Sequence, residues 1–195
     1  MFVKVCGIKS KTDVDWAYSL GYTAVGIVMH KKSPRYYGLE NAKTIADYAK
    51  NRILSVAVGV TCDEVKEIYP YVDYIQVYES KIASYIDTDR VIYAFGSLPA
   101  SHNYKYFLFD KSRGDGVFRS FPKWIKDIKG QIIVAGGLNC ENIGNILNEI
   151  HPFGVDVSSG VEKDKKKSFA LMKSFISIVH NFEEKSKKMR AKREY

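Results

Sequence analysis

The sequence has no long apolar run. The mostly apolar stretch at residues 53–60 is far shorter than the roughly 18 residues a membrane-spanning helix needs. The opening ten residues, MFVKVCGIKS, lack the basic region and apolar core of a secretory leader. Both absences point to a cytoplasmic protein with no membrane partner. Cysteine is scarce: Cys6, Cys62 and Cys140 are the only three. They form no CxxC pair, and an odd count suits a reducing compartment. No Cys/His cluster has the spacing of a zinc site, so no metal is expected. A GxGxxG loop after an early strand is also missing, which argues against an open dinucleotide-binding sheet.

What is present describes an ordinary folding domain. The chain has 195 residues, 46% apolar and 27% charged, enough for one domain with a sizeable core. The formal net charge is +8. Residues 162–195 carry eleven Lys and Arg against five Asp and Glu, a balance of +6. Such a run reads as a solvated helix face. The alternative is a surface that neutralises nucleic-acid phosphates.

Short β-branched runs alternate with helical patterns. The spacing predicts strands at residues 2–6, 24–29, 53–60, 74–77, 90–95, 106–110, 131–135 and 154–157. Helices are expected at 12–20, 39–50, 62–72, 140–149 and 168–182, with short ones near 80–86 and 122–128. Gly21 looks like the stop of the first helix. Residues 96–105 are too short and too rich in Gly, Pro, Ser and Asn for a helix. Eight strands alternating with helices imply a parallel α/β sheet, and closing it gives a (β/α)8 TIM barrel. The barrel would occupy residues 1–182 as a single compact domain with its fifth helix short or missing. Residues 183–195 would be a charged tail or a helix extension. A missing helix would leave apolar surface uncovered, which favours a homodimer.

In such a barrel, reactive groups belong at the ends of strands. Strand alternation turns Lys4 and Cys6 the same way, into the interior if Val3 and Val5 face the helices. Lys4 could then pair with Asp156 inside the barrel. Cys6 reads either as a small buried hydrophobe or as a base whose thiolate nearby cations favour. Lys31, Lys32, Ser33, Pro34 and Arg35 follow the second strand, and Arg35 could clamp a carboxylate or phosphate. The other reading of that segment is a solvated basic turn. Asp110 ends an apolar strand. It could be a general acid, or a capping residue paired with Lys111 or Arg113. The loop from Lys111 to Gly116 could cover a substrate. Gly136 and Gly137 end the seventh strand, and Ser158, Ser159 and Gly160 end the eighth. Glycine turns at these two places suit a phosphate. The constellation fits a small, anionic, phosphorylated molecule.

These segments resemble the phosphoribosylanthranilate isomerase family of tryptophan biosynthesis. The matching motifs are Lys4-Val5-Cys6-Gly7-Ile8, Lys32-Ser33-Pro34-Arg35-Tyr36, Val58-Gly59-Val60 and Leu108-Phe109-Asp110, followed by Ala135-Gly136-Gly137-Leu138-Asn139 and the run from Val155 to Glu162. The resemblance implies an Amadori rearrangement without a cofactor, turning N-(5-phosphoribosyl)anthranilate into an aminoketose. It makes Asp110 the general acid and Cys6 the general base. Arg35 would hold the anthranilate carboxylate, with Gln76 and Asp156 beside it as substrate-binding residues. The phosphate would lie on Gly136, Gly137, Ser158, Ser159 and Gly160. The chain departs from the family's V-Q-L-H-G fourth strand, where it reads Ile75-Gln76-Val77-Tyr78-Glu79. The loop after the sixth strand carries Phe118 and Arg119 where the family has Gly and Lys, and the stretch after Glu162 is shortened. These departures leave room for a related phosphosugar isomerase of shifted or dual specificity.

Overall fold

Eight parallel strands close on themselves in the computed structural model, which describes residues 1–98, 104–110 and 120–191. The strands are β1 (Phe2–Cys6), β2 (Ala24–Val28), β3 (Leu54–Val58), β4 (Tyr74–Val77), β5 (Val91–Phe95), β6 (Tyr106–Phe109), β7 (Gln131–Val134) and β8 (Gly154–Val157). Each pairs with the next, and β8 returns to β1. The α/β barrel expected from the alternation is therefore the fold. Helices α1 (Lys11–Leu20), α2 (Leu39–Ala49), α3 (Cys62–Val65), α4 (Ile143–Ile150) and α5 (Phe169–Ala191) lie outside it. Among the described residues no helix is long and apolar enough to cross a membrane.

Local chemistry sets the boundaries. β2 is buried throughout, as a strand covered on both faces should be. Ser10 caps α1: its Oγ accepts from the Asp13 N–H at 3.1 Å, and the Asp13 carboxylate accepts from the Ser10 N–H at 3.1 Å. This reciprocal box satisfies two orphan donors at the helix start. Gly21 ends α1 in the left-handed region at φ 84°. The third helix is shorter than the pattern at 62–72 suggests. It stops at Val65, and a 3-10 turn at Tyr69–Tyr71 follows. Pro70 has no N–H to extend the ladder. Residues 80–86 form turns rather than the expected short helix, and 122–128 hold a 3-10 turn at Lys123–Asp127. Residues 96–98 and 104–105 carry no helix.

Aromatic rings do part of the covering instead. Tyr93 stacks on Tyr104 at 4.9 Å, and Trp124 packs against Phe109 at 5.6 Å and Phe95 at 6.2 Å. Phe121 closes on Phe109 at 5.7 Å. Such pairs add roughly 0.5–1.5 kcal/mol each beyond simple burial. They blanket the outer face of β5 and β6.

Val3 and Val5 pack with the helices, while an inner cluster of Ala24, Val56, Ile92, Ala94, Leu108, Ile133 and Ala135 fills the barrel. Lys4 belongs to the inside. It is fully buried, and its Nζ lies 2.8 Å from Asp156 Oδ2. Lys4 and Asp156 are also register partners across the β1–β8 seam. For Lys4, burial pulls the ammonium toward neutrality, but the charges of Asp156 and Cys6 outweigh it and hold its pKa above the usual value. For Asp156, burial pushes the carboxyl up and Lys4 offsets only part of that push.

Two elements lie outside the strand–helix alternation. A hairpin of β9 (Glu162–Lys163) and β10 (Lys166–Lys167) fills the shortened stretch after β8. α5 continues past residue 182 to Ala191, and Glu183 on it pairs with the Met1 ammonium.

Breaking one partner of a buried ion pair strands the other charge, at about 3–5 kcal/mol. Lys4→Met should therefore lower unfolding stability by about 3 kcal/mol in urea titrations. Adding Asp156→Asn should restore part of the loss. An unchanged midpoint for Lys4→Met alone would show that the pair does not hold the seam.

Candidate active site

A cavity of about 430 Å³ opens at the carboxyl ends of the strands, and the residues singled out in the sequence converge on it. Cys6 enters from the end of β1, Gln76 from β4, Asp156 from β8 and Asp110 from just past β6. Arg35 reaches in from the loop after β2. Gly136, Gly137, Ser158 and Ser159 form part of the wall. Gly160 does not line the cavity. Its backbone passes so close to the β7 turn that a Cβ would lie 1.9 Å from Leu138 O, and it bridges to Asn139. Only glycine lets the two turns meet there. Gly136 and Gly137 both lie in the left-handed region, at φ 92° and 69°.

The Cys6 thiol is buried, and burial pushes its pKa up. The cations Lys4, Lys167 and Arg35 pull the other way without overcoming it, and Asp156 adds to the rise. Ser158 supports the same strand end, its Oγ donating to Cys6 O at 2.9 Å. Gln76 Oε1 and Asp156 Oδ1 are buried, and neither accepts a hydrogen bond among the described residues. Buried acceptors of this kind ordinarily find a donor.

Arg35 is held rather than solvated. Its Nε and Nη2 donate to the two carboxylate oxygens of Glu162, both at 2.9 Å. Gly7 makes the approach possible, since a Cβ there would lie 2.4 Å from Arg35 Cδ. Lys167 Nζ sits 2.6 Å from Glu162 Oε1 and donates to Ser158 O at 3.1 Å. The β9–β10 hairpin thus carries the carboxylate and one of the two cations of this charge ladder. Burial pushes the Glu162 carboxyl up, but the Arg35 fork and the Lys167 charge prevail and hold it at about 2. Lys167 is itself pulled below its usual value by burial.

The family model for N-(5'-phosphoribosyl)anthranilate isomerase matches residues 3–178. The chain belongs to this family. A relative from Listeria innocua of the same name is 35% identical, over 90% of this chain and 96% of its own. The phosphoribosylanthranilate isomerase of Thermotoga maritima superposes with a TM-score of 0.79 at 29% identity, covering 93% of this chain and 99% of that one. A further isomerase structure holds reduced 1-(o-carboxyphenylamino)-1-deoxyribulose 5-phosphate. It gives a TM-score of 0.76 at 28% identity, over 93% and 99% of the two chains.

The two departures from the family's fourth strand both make contacts here. Tyr78, at the His position, donates its phenol to Asp110 Oδ2 at 3.0 Å. Glu79, at the Gly position, accepts from the Cys62 N–H at 2.7 Å and so satisfies a free donor at the start of α3. His30 also lines the cavity and pairs with Glu64 at 2.8 Å. Sequence reasoning did not single out Glu162, Lys167 or His30 as site residues. Glu162 lay inside a matched motif, but nothing in its spacing pointed to Arg35, 127 positions away. The covering loop from Lys111 to Gly116, a salt bridge from Asp110 to Lys111 or Arg113, and the Phe118 and Arg119 departures fall outside the described residues.

The Glu162 carboxyl titrates below its usual 4.5 in the folded protein. A lowered pKa adds stability above the unfolded value and loses it as pH falls toward the folded one. The stability gap between wild type and Glu162→Gln should therefore be about 2 kcal/mol at pH 6. It should narrow steadily as urea titrations move from pH 4.5 toward pH 2. A gap that ignores pH across that window would mean the carboxylate is not held by its cations.

Proposed function

We propose that Asp110 and Cys6 are the acid and base with which this phosphoribosylanthranilate isomerase works. The reaction turns N-(5'-phosphoribosyl)anthranilate, an aminoaldose, into the 1-deoxyribulose 5-phosphate aminoketose, a step of tryptophan biosynthesis. Asp110 gives its proton to the ribose ring oxygen as the C1–O bond breaks, and the anthranilate nitrogen supplies the electron pair. The Cys6 thiolate then takes the proton from C2, leaving an enolamine that becomes the ketone as its C2 hydroxyl loses a proton and C1 gains one. Lys4, Lys167 and Arg35 offset part of the burial that disfavours the thiolate this step needs. The scheme calls for no cofactor.

One observation carries the reading: a single cavity receives Cys6, Asp110, Arg35 and the turns after β7 and β8. Arg35 would take the anthranilate carboxylate through Nη1, which lies outside the Glu162 fork. Gly136, Gly137, Ser158 and Ser159 would receive the phosphate through backbone N–H groups and the Ser159 hydroxyl, with Gly160 allowing the two turns to meet. Gln76 Oε1 and Asp156 Oδ1 would accept from ribose hydroxyls. A cytoplasmic setting fits three cysteines that are all free. Self-association is part of the same reading. Leu98, which follows β5, is 62% exposed, and an exposed leucine there would suit a second copy of the chain.

General acid and base groups each contribute about 10²–10⁴-fold to rate. Cys6→Ser and Asp110→Asn should each lower kcat by at least about 100-fold when loss of phosphoribosylanthranilate fluorescence is followed. Wild-type turnover in either folded variant would remove that residue from the mechanism. Sedimentation velocity over a concentration series should find a dimer. A monomer at every concentration would reject the association.

A further inference from the structure

We propose that Tyr78 is the positioning residue of Asp110, its phenol fixing the orientation in which the carboxyl group meets the substrate. The inference rests on the reading of Asp110 as the acid. Tyr78 follows β4 directly. Strand alternation places it on the inner side with Gln76, and its ring packs against the cluster that fills the barrel. Its O–H donates to Asp110 Oδ2 at 3.0 Å, across the mouth from β4 to the end of β6.

The mount is rigid at both ends. The Tyr78 N–H donates to Val60 O at 3.1 Å, and its neighbour Glu79 is tied to the Cys62 N–H. The Asp110 N–H donates to Phe95 O at 2.9 Å. A donor held this way restricts the carboxyl rotation that would otherwise spread the acid over unproductive orientations. The residue chosen also matters. Burial, together with the charges of Asp110, Asp156 and Cys6, pushes the phenol's ionisation far up. Tyr78 therefore stays a neutral donor.

The test measures turnover of phosphoribosylanthranilate in Tyr78→Phe, Tyr78→His and Asp110→Asn, singly and combined. A net hydrogen bond of this type is worth about a factor of ten in rate. Tyr78→Phe should lower kcat about tenfold and leave KM within about twofold. Tyr78→His restores a donor and should recover most of the loss. In the Asp110→Asn background, the residual rate should no longer respond to Tyr78→Phe. Melting curves identify any variant that fails to fold; where Tyr78→Phe fails, the kcat of Tyr78→His against wild type decides. Wild-type kcat in Tyr78→Phe, a loss confined to KM, a Tyr78→His variant as slow as Tyr78→Phe, or an equal loss in both backgrounds would each overturn the proposal. Wild-type turnover in Asp110→Asn would instead remove Asp110 as the acid, and the positioning role with it.

Discussion

The ion pair between Lys4 and Asp156 is the constraint around which the barrel closes. It joins the first strand to the last, at the seam where the sheet meets itself, and it lies inside the barrel rather than on its surface. A buried pair contributes little net stability, because desolvating two charges offsets most of their attraction. What it supplies is register. Sliding β1 by one residue would turn Lys4 toward the helices and Val3 and Val5 inward, leaving Asp156 alone in the interior. The same alternation puts Cys6 two residues further along, at the mouth. The seam and the place of Cys6 at the mouth are therefore set by one choice of strand face.

Charge at the mouth is arranged in steps. Lys4 and Asp156 lie deepest, then the Cys6 thiol, then the ladder of Arg35, Glu162 and Lys167. Each cation has a carboxylate partner, so the cavity can hold several charges without leaving one bare in a poorly solvated space. Glu162 belongs to a hairpin formed by the shortened stretch after β8. Two paired strands of two residues each hold Glu162 against Arg35, which lines the cavity, and Lys167 against Glu162. The departures in the fourth strand follow the same pattern. Tyr78 and Glu79 both find specific partners, one at the site and one at the start of α3.

The chain is economical where the barrel faces outward. Along β5 and β6 the outer face is covered by stacked and edge-on rings where helices are short or absent among the described residues. Planar rings bury a large area per residue and need few backbone hydrogen bonds of their own. This lets the alternating architecture persist over a chain of modest length.

The sequence by itself determined the eight strands, their alternation and most of the positions that line the cavity. Period-2 patterning, β-branched runs and glycine turns are local signals, and each is complete within a few residues. That is why Cys6, Asp110, Arg35 and the turns after β7 and β8 were legible, and why Lys4 and Asp156 could be paired from strand faces alone. Helix lengths were less legible, since Pro70 and competing turns cut them short through local contacts the pattern does not contain. Only the tertiary structure decided which distant charges touch. The Arg35–Glu162 fork, the Lys167 contact and the Tyr78–Asp110 hydrogen bond join residues from separate loops and strands, and closure of the barrel brings them within hydrogen-bond reach. Such pairs depend on three-dimensional distance, and spacing along the chain carries no record of it.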